Sequence, residues 1–435
     1  MPQDQTMTAA HSLPNLWHTS AIPAPATTPL DGTLAVDVAV IGGGFTGIST
    51  ALHLAERGIA VAVLEAKTIG HGASGRNVGL VNAGMWTMPD DLIATLGKDA
   101  GERLLHALGN GPSLVFDLID RFGIDCEAVR NGTLHLAVGS AGVTEIRARE
   151  AQWKRQGAPV EAMDEAAARR LTGAEGFAGA LLDRRAGTIQ PLSYVRGLAR
   201  AVLDLGARIF TDSPVLRAEK EGDAWRLTTP RGDVRATRIV VATDAYGRMI
   251  DGMPFTDHTQ ELTILPYFQF ATKPLSANLA GSILPERQGC WDTGMVMTSF
   301  RMDRQNRLIF GSIGRLDPLA AGTHKAFAER ALKAHFPQLG PVEFDHGWDG
   351  RIGMTVDALP RLHSLAPGVV SVGGYNGRGI APGTVFGRAL AAHLAGEPQA
   401  LPLAESPIVP DRMRSLKSAF YHAGAQAKHL IDRRV

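Results

Sequence analysis

The stretch Leu34–Glu65, LAVDVAVIGGGFTGISTALHLAERGIAVAVLE, decides the fold. Val36–Ile41 is a β-branched run of the kind that forms a strand buried on both faces. Gly42-Gly43-Gly44-Phe45-Thr46-Gly47 follows at once and supplies G-x-G-x-x-G. From Ile48 to Arg57, apolar Ile48, Ala51, Leu52 and Ala55 recur at helical spacing. Gly58 stops that helix, Ile59–Leu64 reads as a second strand, and Glu65 closes it.

Each glycine has its own physical task. Gly42 permits the tight turn, Gly44 leaves the backbone bare for a pyrophosphate, and Gly47 lets the helix lie close to the strand. The helix N-terminus adds free amides and a positive dipole end. Glu65, about 20 residues past the glycines, accepts hydrogen bonds from ribose hydroxyls and repels a 2′-phosphate. The unit therefore reads as a dinucleotide site for NAD or FAD.

Outside this unit, composition narrows the class. The chain has 435 residues, enough for two or three domain-sized units, with 45% hydrophobic and 20% charged residues. A net charge of +1 gives no electrostatic footprint for nucleic acid. The two cysteines, Cys126 and Cys290, are far apart, so neither metal-ligand spacing nor a disulfide framework is present, and a reducing, cytoplasmic setting is expected. No integral membrane segment and no signal-peptide pattern is read; Met1–Thr33 is a polar arm expected to lie loosely on the surface, anchored at most by Trp17.

Ala66–Gly84, AKTIGHGASGRNVGLVNAG, carries five glycines and reads as a shaped loop that approaches the rest of the cofactor, with Ser74, Arg76 and Asn77 inside it. Pro89–Phe122 is helical, broken at Gly109–Pro112. Thr133–Val138 reads as a strand, Thr144–Gln156 and Met163–Leu171 as helices, and Pro191–Leu205 as an amphipathic helix with Tyr194, Leu198, Ala201 and Leu205 inward. Arg208–Phe210 and Pro214–Ala218 read as strands, Ala224–Thr229 and Gly232–Ala236 as a hairpin, and Arg238–Thr243 as a buried strand. Glu261–Thr272, Gly294–Phe300 and Arg307–Gly311 alternate as in an antiparallel sheet. His324–His335 is a helix, and His346–Met354 is glycine-rich. Gly368–Gly374 is a last buried strand, followed by the loop Tyr375–Ala381 and a helix over Gly383–Leu394.

The expected class is α/β plus α+β: a discontinuous Rossmann-like FAD-binding domain with an inserted, mainly antiparallel substrate domain. The divisions are an arm over 1–29, the FAD-binding domain over 30–90, 160–248 and 345–400, the substrate domain over 91–159 and 249–344, and a helical tail over 401–435. The basic tail from Asp411 reads as a capping helix, with a membrane-surface contact as the other reading.

VAVIGGGFTGISTALHLAERG, LEA, GHGASGRN and the late GGYNGRGI together resemble the FAD-dependent amine and amino-acid oxidase family. D-amino-acid oxidase, glycine oxidase, sarcosine oxidase and the gamma-glutamylputrescine oxidoreductases belong to it. The last group is most similar, through QNRLIFG at 305–311, HFPQL at 335–339, Trp348-Asp349-Gly350 and Asp357–Pro360. The resemblance implies that Gly42, Gly44 and Gly47, with Phe45 and Thr46, hold the FAD pyrophosphate, and that Glu65 and Ala66 meet the adenosine ribose. It places Ser74, Gly75, Arg76 and Asn77 between pyrophosphate and isoalloxazine, Val215 at the adenine, Ala242 and Thr243 along the cofactor, and Gly377, Arg378, Gly379 and Ile380 at the pyrimidine edge of the flavin. Val78 stands where the loop normally has a second glycine, which narrows the space beside the ring. No cysteine follows Trp348, so the FAD is expected to be non-covalent.

The implied chemistry is removal of a hydride from the C–H beside an amine nitrogen to flavin N5, hydrolysis of the imine, and reoxidation by O2 to H2O2. Such chemistry requires no acid–base pair, in keeping with the lack of a catalytic His/Asp or Ser/His constellation. For the amine or amino-acid substrate, Tyr267, Gln269, Trp348, Asn376 and Arg378 are the candidate residues: Tyr267 and Trp348 as an aromatic wall, Arg378 as a carboxylate clamp. Asp292, Met295 and His71 are weaker candidates. A dehydrogenase feeding a quinone or partner subunit, and a flavoprotein of RNA modification, are the competing readings; the near-zero charge weighs against the last.

Overall fold

The computed structural model describes residues 13–398 and 401–432. The stretches 1–12, 399–400 and 433–435, at the edges of the arm, of the FAD-binding domain and of the tail, lie outside the described residues.

The opening stretch folds as its pattern requires. Gly32–Ile41 forms a strand whose last four residues are buried, Phe45–Ala55 a helix, and Val61–Leu64 the parallel strand beside it, with Val38 opposite Val61 and Val40 opposite Val63. A six-strand path is built around it, in the order Arg361–Ala366, Val369–Gly373, Gly232–Val241, Gly32–Ile41, Val61–Leu64, Arg208–Phe210. All its neighbours are parallel except the first pair. Ala224–Thr228 and Arg217–Glu221 hang antiparallel on the start of Gly232–Val241. Near-continuous valine and isoleucine in the central strands reflects helices covering the sheet.

The second sheet runs Phe344–Met354, Thr263–Thr272, Leu308–Ile313, Thr298–Met302, Gly289–Asp292, Thr133–Ala137, Gly179–Asp183, Val160–Asp164. It is antiparallel apart from the Gly289–Asp292 and Thr133–Ala137 pair. The molecule is thus the expected Rossmann-like α/β unit joined to a mainly antiparallel sheet.

Several elements sit elsewhere than the sequence suggests. Residues 160–183, expected with the dinucleotide half, supply the last two strands of the second sheet. The glycine-rich His346–Met354 forms most of an eleven-residue strand. Its glycines allow close approach: a Cβ on Gly347 would lie 2.9 Å from the Phe270 ring, and one on Gly350 would lie 3.1 Å from Arg76 Cβ. The 89–121 region makes three helices rather than two, and the buried residues of its last two share a core with the opening helix. The strand expected over Pro214–Ala218 begins at Arg217, and that over Gly294–Phe300 begins at Thr298. Leu205 is outward, past the end of its helix.

The arm from residue 13 is not loose. Asn15 caps the short Leu16–Ser20 helix, and Trp17 is fully buried. The Trp17 indole donates to Asn77 O at 2.8 Å, and Asn15 Nδ2 donates to Gly75 O at 3.1 Å, so the arm fastens the ASGRN loop from outside.

Candidate active site

The glycine turn is shaped by contacts that a side chain would break. Gly42 has φ +110°, and a Cβ there would lie 2.9 Å from Ala242 O. A Cβ on Gly47 would fall 2.0 Å from Gly42 O, so helix and turn touch through bare backbone. Gly44 caps the helix with no side-chain hydrogen bond, which leaves that helix end for another ligand. Ser74 Oγ accepts from Phe45 N at 3.0 Å and pins the ASGRN loop to the helix start.

Glu65 accepts from Gly43 N at 2.7 Å and from Lys67 N at 2.8 Å. Burial raises its pKa, and the amides oppose that rise. The late loop reaches the same place: the hydroxyls of Thr46 and Tyr375 lie 2.8 Å apart. The Ile380–Leu394 helix packs on the opening helix, with Ser49 Oγ donating to Thr384 O at 2.8 Å.

These loops enclose one long cavity of about 580 Å³. Gly42, Gly44, Phe45, Thr46, Glu65, Ala66, Ser74, Arg76, Asn77, Val215, Ala242, Thr243, Gly377, Arg378, Gly379 and Ile380 all border it. Gly47 and Gly75 do not; Gly75 serves loop packing, since a Cβ there would meet Gly70 O at 2.4 Å without displacement. Val78 borders the cavity, where its side chain takes up space.

The far end lies against the second sheet. Tyr267 and Gln269, two residues apart on one strand, both border the cavity. Tyr267 Oη donates to Ser299 Oγ at 2.9 Å, and burial raises its pKa. Gln269 Oε1 is buried with no partner. Asp292 borders the cavity, but its carboxylate accepts from Gly294 N at 2.8 Å, from Thr298 N at 3.2 Å and from the Thr298 hydroxyl. Met295, one of the weaker candidates, is 96% exposed at the cavity edge. His71 borders the cavity as well; burial, then Arg76, holds its pKa low.

Two candidates have structural duties. Trp348 does not border the cavity: its indole donates to Arg76 O at 3.0 Å and packs edge-on to Trp17, with ring centroids 5.5 Å apart. Asn376 adopts a left-handed φ of 52° and spends its side chain on Thr355 N at 2.8 Å and Gly374 O at 2.5 Å. It shapes the turn that presents Arg378.

Arg378 is the most unusual group. It is buried, and its guanidinium lies 4.8 Å from the Trp86 ring centroid and 4.9 Å from that of Trp291. Nη1 donates to Ala83 O at 3.0 Å, while Nε has no partner. Among the described residues no carboxylate forms an ion pair with it. Burial, followed by the Arg149 charge, pushes its pKa down to about 9. Trp86 donates to Asn376 O at 2.5 Å, and His135 stacks on Trp291 with centroids 3.4 Å apart.

Trp86, Trp291, His135 and Glu145 all border the cavity and escape sequence reasoning. Trp86 closes the ASGRN-loop region and Trp291 precedes the flagged Asp292, but nothing local announces that they meet. Asp244 is another: it borders the cavity and accepts from Gly374 N at 2.8 Å, tying the Gly232–Val241 strand end to the late loop. Burial raises its pKa.

These residues fit FAD. The Glu65 carboxylate and the bare helix end face the adenosine and pyrophosphate side. Thr243 Oγ1, buried and without a partner, lies along the cavity. At Gly379 a Cβ would meet nothing nearer than 3.9 Å, so its backbone borders open space where a flat ring edge fits.

A family model described as FAD dependent oxidoreductase matches residues 37–393. The gamma-glutamylputrescine oxidoreductase of Escherichia coli is 33% identical over 93% of this chain and 94% of its own. A probable oxidoreductase, OrdL, of Haemophilus influenzae is 30% identical over 93% of this chain and 94% of its own. The crystal structure of glycine oxidase from Geobacillus kaustophilus superimposes with a TM-score of 0.68 at 22% identity, covering 87% of this chain and 99% of that one.

Proposed function

Because the chain belongs to the family of FAD-dependent oxidoreductases acting on amines and amino acids, we propose that it oxidises the C–N bond of an amine that also carries a carboxylate, with O2 as the electron acceptor. The observation that carries this reading is Arg378. Among the described residues no carboxylate pairs directly with this buried guanidinium, Asp183 acting on it only at longer range, and an anionic ligand in the cavity offsets its charge.

FAD, when bound, supplies the two-electron acceptor for the C–H beside the amine nitrogen. The chain's own residues do the rest. Trp86 and Trp291 hold the Arg378 fork in one plane and exclude water from it. Tyr267 and Gln269 offer the substrate polar contacts from the sheet side, and Gln269 Oε1 is free to accept from an amine N–H. The backbone of Gly377–Ile380 borders the cavity and would stabilise the negative charge that bound FAD takes on when reduced. The imine leaves and hydrolyses in water, and O2 takes the two electrons and two protons to become H2O2. Neither cysteine borders the cavity, which supports a non-covalent FAD.

Anaerobic bleaching of the flavin tests the reading. The panel pairs amines with and without a carboxylate: sarcosine, pipecolate, D-amino acids and the glutamylated diamine in the name of the E. coli relative, against putrescine and simple alkylamines. Bleaching by a carboxylate-bearing member, with peroxide on admitting air, is the expected result. Bleaching by none, or only by the plain amines, overturns it. Bleaching without peroxide replaces O2 with a quinone or partner protein as acceptor.

A further inference from the structure

We propose that the C-terminal helix, Arg414–Ile431, seats the protein on an anionic membrane surface through its outer face. Its inner face is already used: Ala425 and His429 are buried, and Ser418 Oγ accepts from Ile264 N at 3.0 Å. These positions recur at helical spacing and fix the helix against the second sheet. On the opposite side, Met413, Leu416, Phe420 and Ile431 form a stripe, with Gly424 and Ala427 completing it. Phe420 is 70% exposed, Ile431 67% and Leu416 61%. Leu319, 89% exposed, adjoins the helix where Gln426 Nε2 donates to its carbonyl at 3.5 Å. A helix apolar on its outer side marks an interaction surface.

Charge selects the occupant. From Arg412 to Ile431 there is no Asp or Glu, while Arg412, Arg414, Lys417 and Lys428 are all basic. By helical spacing Lys417 and Lys428 border the stripe on one side, and Arg412 lies just ahead of the helix start. The nearest acids, Asp411 and Asp432, pair with Lys417 and Lys428 at the two ends of the helix. With those two acids counted against the four basic residues, 411–432 keeps a net charge of +2, so a second copy of this face meets like charge. A bilayer carrying anionic headgroups meets both the stripe and its basic borders. Among the described residues no helix is long and apolar enough to cross a membrane, so the helix lies on the surface.

Co-sedimentation of the FAD-loaded full chain with vesicles tests the proposal. With phosphatidylglycerol–phosphatidylcholine vesicles at low salt the protein is expected to pellet at least about tenfold more than with phosphatidylcholine alone, and high salt releases it. The double variant Leu416→Ser/Phe420→Ser stays in the supernatant with its flavin spectrum and melting temperature unchanged. Absence of pelleting dependent on phosphatidylglycerol overturns the proposal. So does a dimer in sedimentation velocity that the same double variant dissociates, which assigns the stripe to a second copy.

Discussion

The hydroxyls of Thr46 and Tyr375 lie 2.8 Å apart, joining loops separated by 329 positions. Thr46 opens the first helix beside the glycine turn, and Tyr375 begins the loop that presents Arg378. Both border the cavity, so this contact helps to set the spacing between the two loops that line it, beside the Ser49–Thr384 and Asp244–Gly374 bonds. Tyr375→Phe keeps the ring against Phe386 and removes only the hydroxyl. The buried Thr46 hydroxyl is then left with one partner fewer, at a cost of about 1–2 kcal/mol. FAD affinity is expected to fall about tenfold, read by flavin fluorescence titration of the apoprotein. An unchanged dissociation constant would show that the loops keep their spacing without this bond.

Gly44 and Gly47 separate cofactor binding from folding. A Cβ at Gly44 meets Ser74 alone, with Oγ at 3.0 Å, a contact relieved by a shift of a few tenths of an ångström that keeps the bond to Phe45 N. Gly44→Ala is expected to fold normally and to lose most of its FAD affinity, because the methyl group intrudes where the pyrophosphate approaches. A Cβ at Gly47 meets backbone, Gly42 O, at 2.0 Å. Gly47→Ala is expected to lower the melting temperature by several degrees even as apoprotein, since neither helix nor turn yields cheaply. Equal melting temperatures for the two apoproteins would contradict this division.

What was legible in the sequence follows from how local each demand is. The glycine turn, its helix and the Glu65 strand end are written within 32 consecutive residues, because backbone conformation and phosphate approach are local requirements. Arg378 and Tyr267 are pointed to by their loop and strand, and both border the cavity. Trp348, expected in an aromatic wall, packs instead on Trp17, more than 300 residues earlier in the chain. Its strand position beside Gln269 is real, but the arm covers it. Trp86 and Trp291 meet across two separate elements, and no periodicity links them. The glycines of His346–Met354 assign no element by themselves; they let a strand lie tightly on Phe270 and Arg76.

Removing Arg378 tests the anionic handle on the substrate. Arg378→Met keeps an unbranched apolar chain between Trp86 and Trp291 and deletes the charge. For amines bearing a carboxylate, kcat/KM is expected to fall at least about 100-fold, the scale of losing one partner of a buried charged pair. For amines without a carboxylate the change is expected to stay within a few-fold. The FAD-loaded variant should melt within a few degrees of the parent, because an uncompensated buried charge adds little to stability. A uniform loss across both classes would assign Arg378 to the cofactor instead.

His324 and His429 make the C-terminal helix sensitive to acid. Their Nδ1 atoms lie 2.9 Å apart, and His429 stacks on Phe327 with centroids 3.9 Å apart. Ser312 Oγ lies 3.3 Å from His429 Nε2, Arg330 donates to His429 O at 2.6 Å, and His422 sits 3.6 Å from Asp317. Burial lowers the His324 pKa to about 4, and burial with the neighbouring His324 lowers that of His429 to about 3, both from 6.5. Between those values and 6.5 the unfolded chain binds protons that the folded chain refuses. The pair's contribution to stability is therefore full above about 6.5 and falls as pH drops toward 4, with a slope of up to about two protons. Melting temperature against pH is expected to show this decline, and His324→Leu, which removes one titrating group and leaves the cluster apolar, should flatten it by about one proton. The same slope in His324→Leu and the parent would place the acid sensitivity elsewhere in the chain.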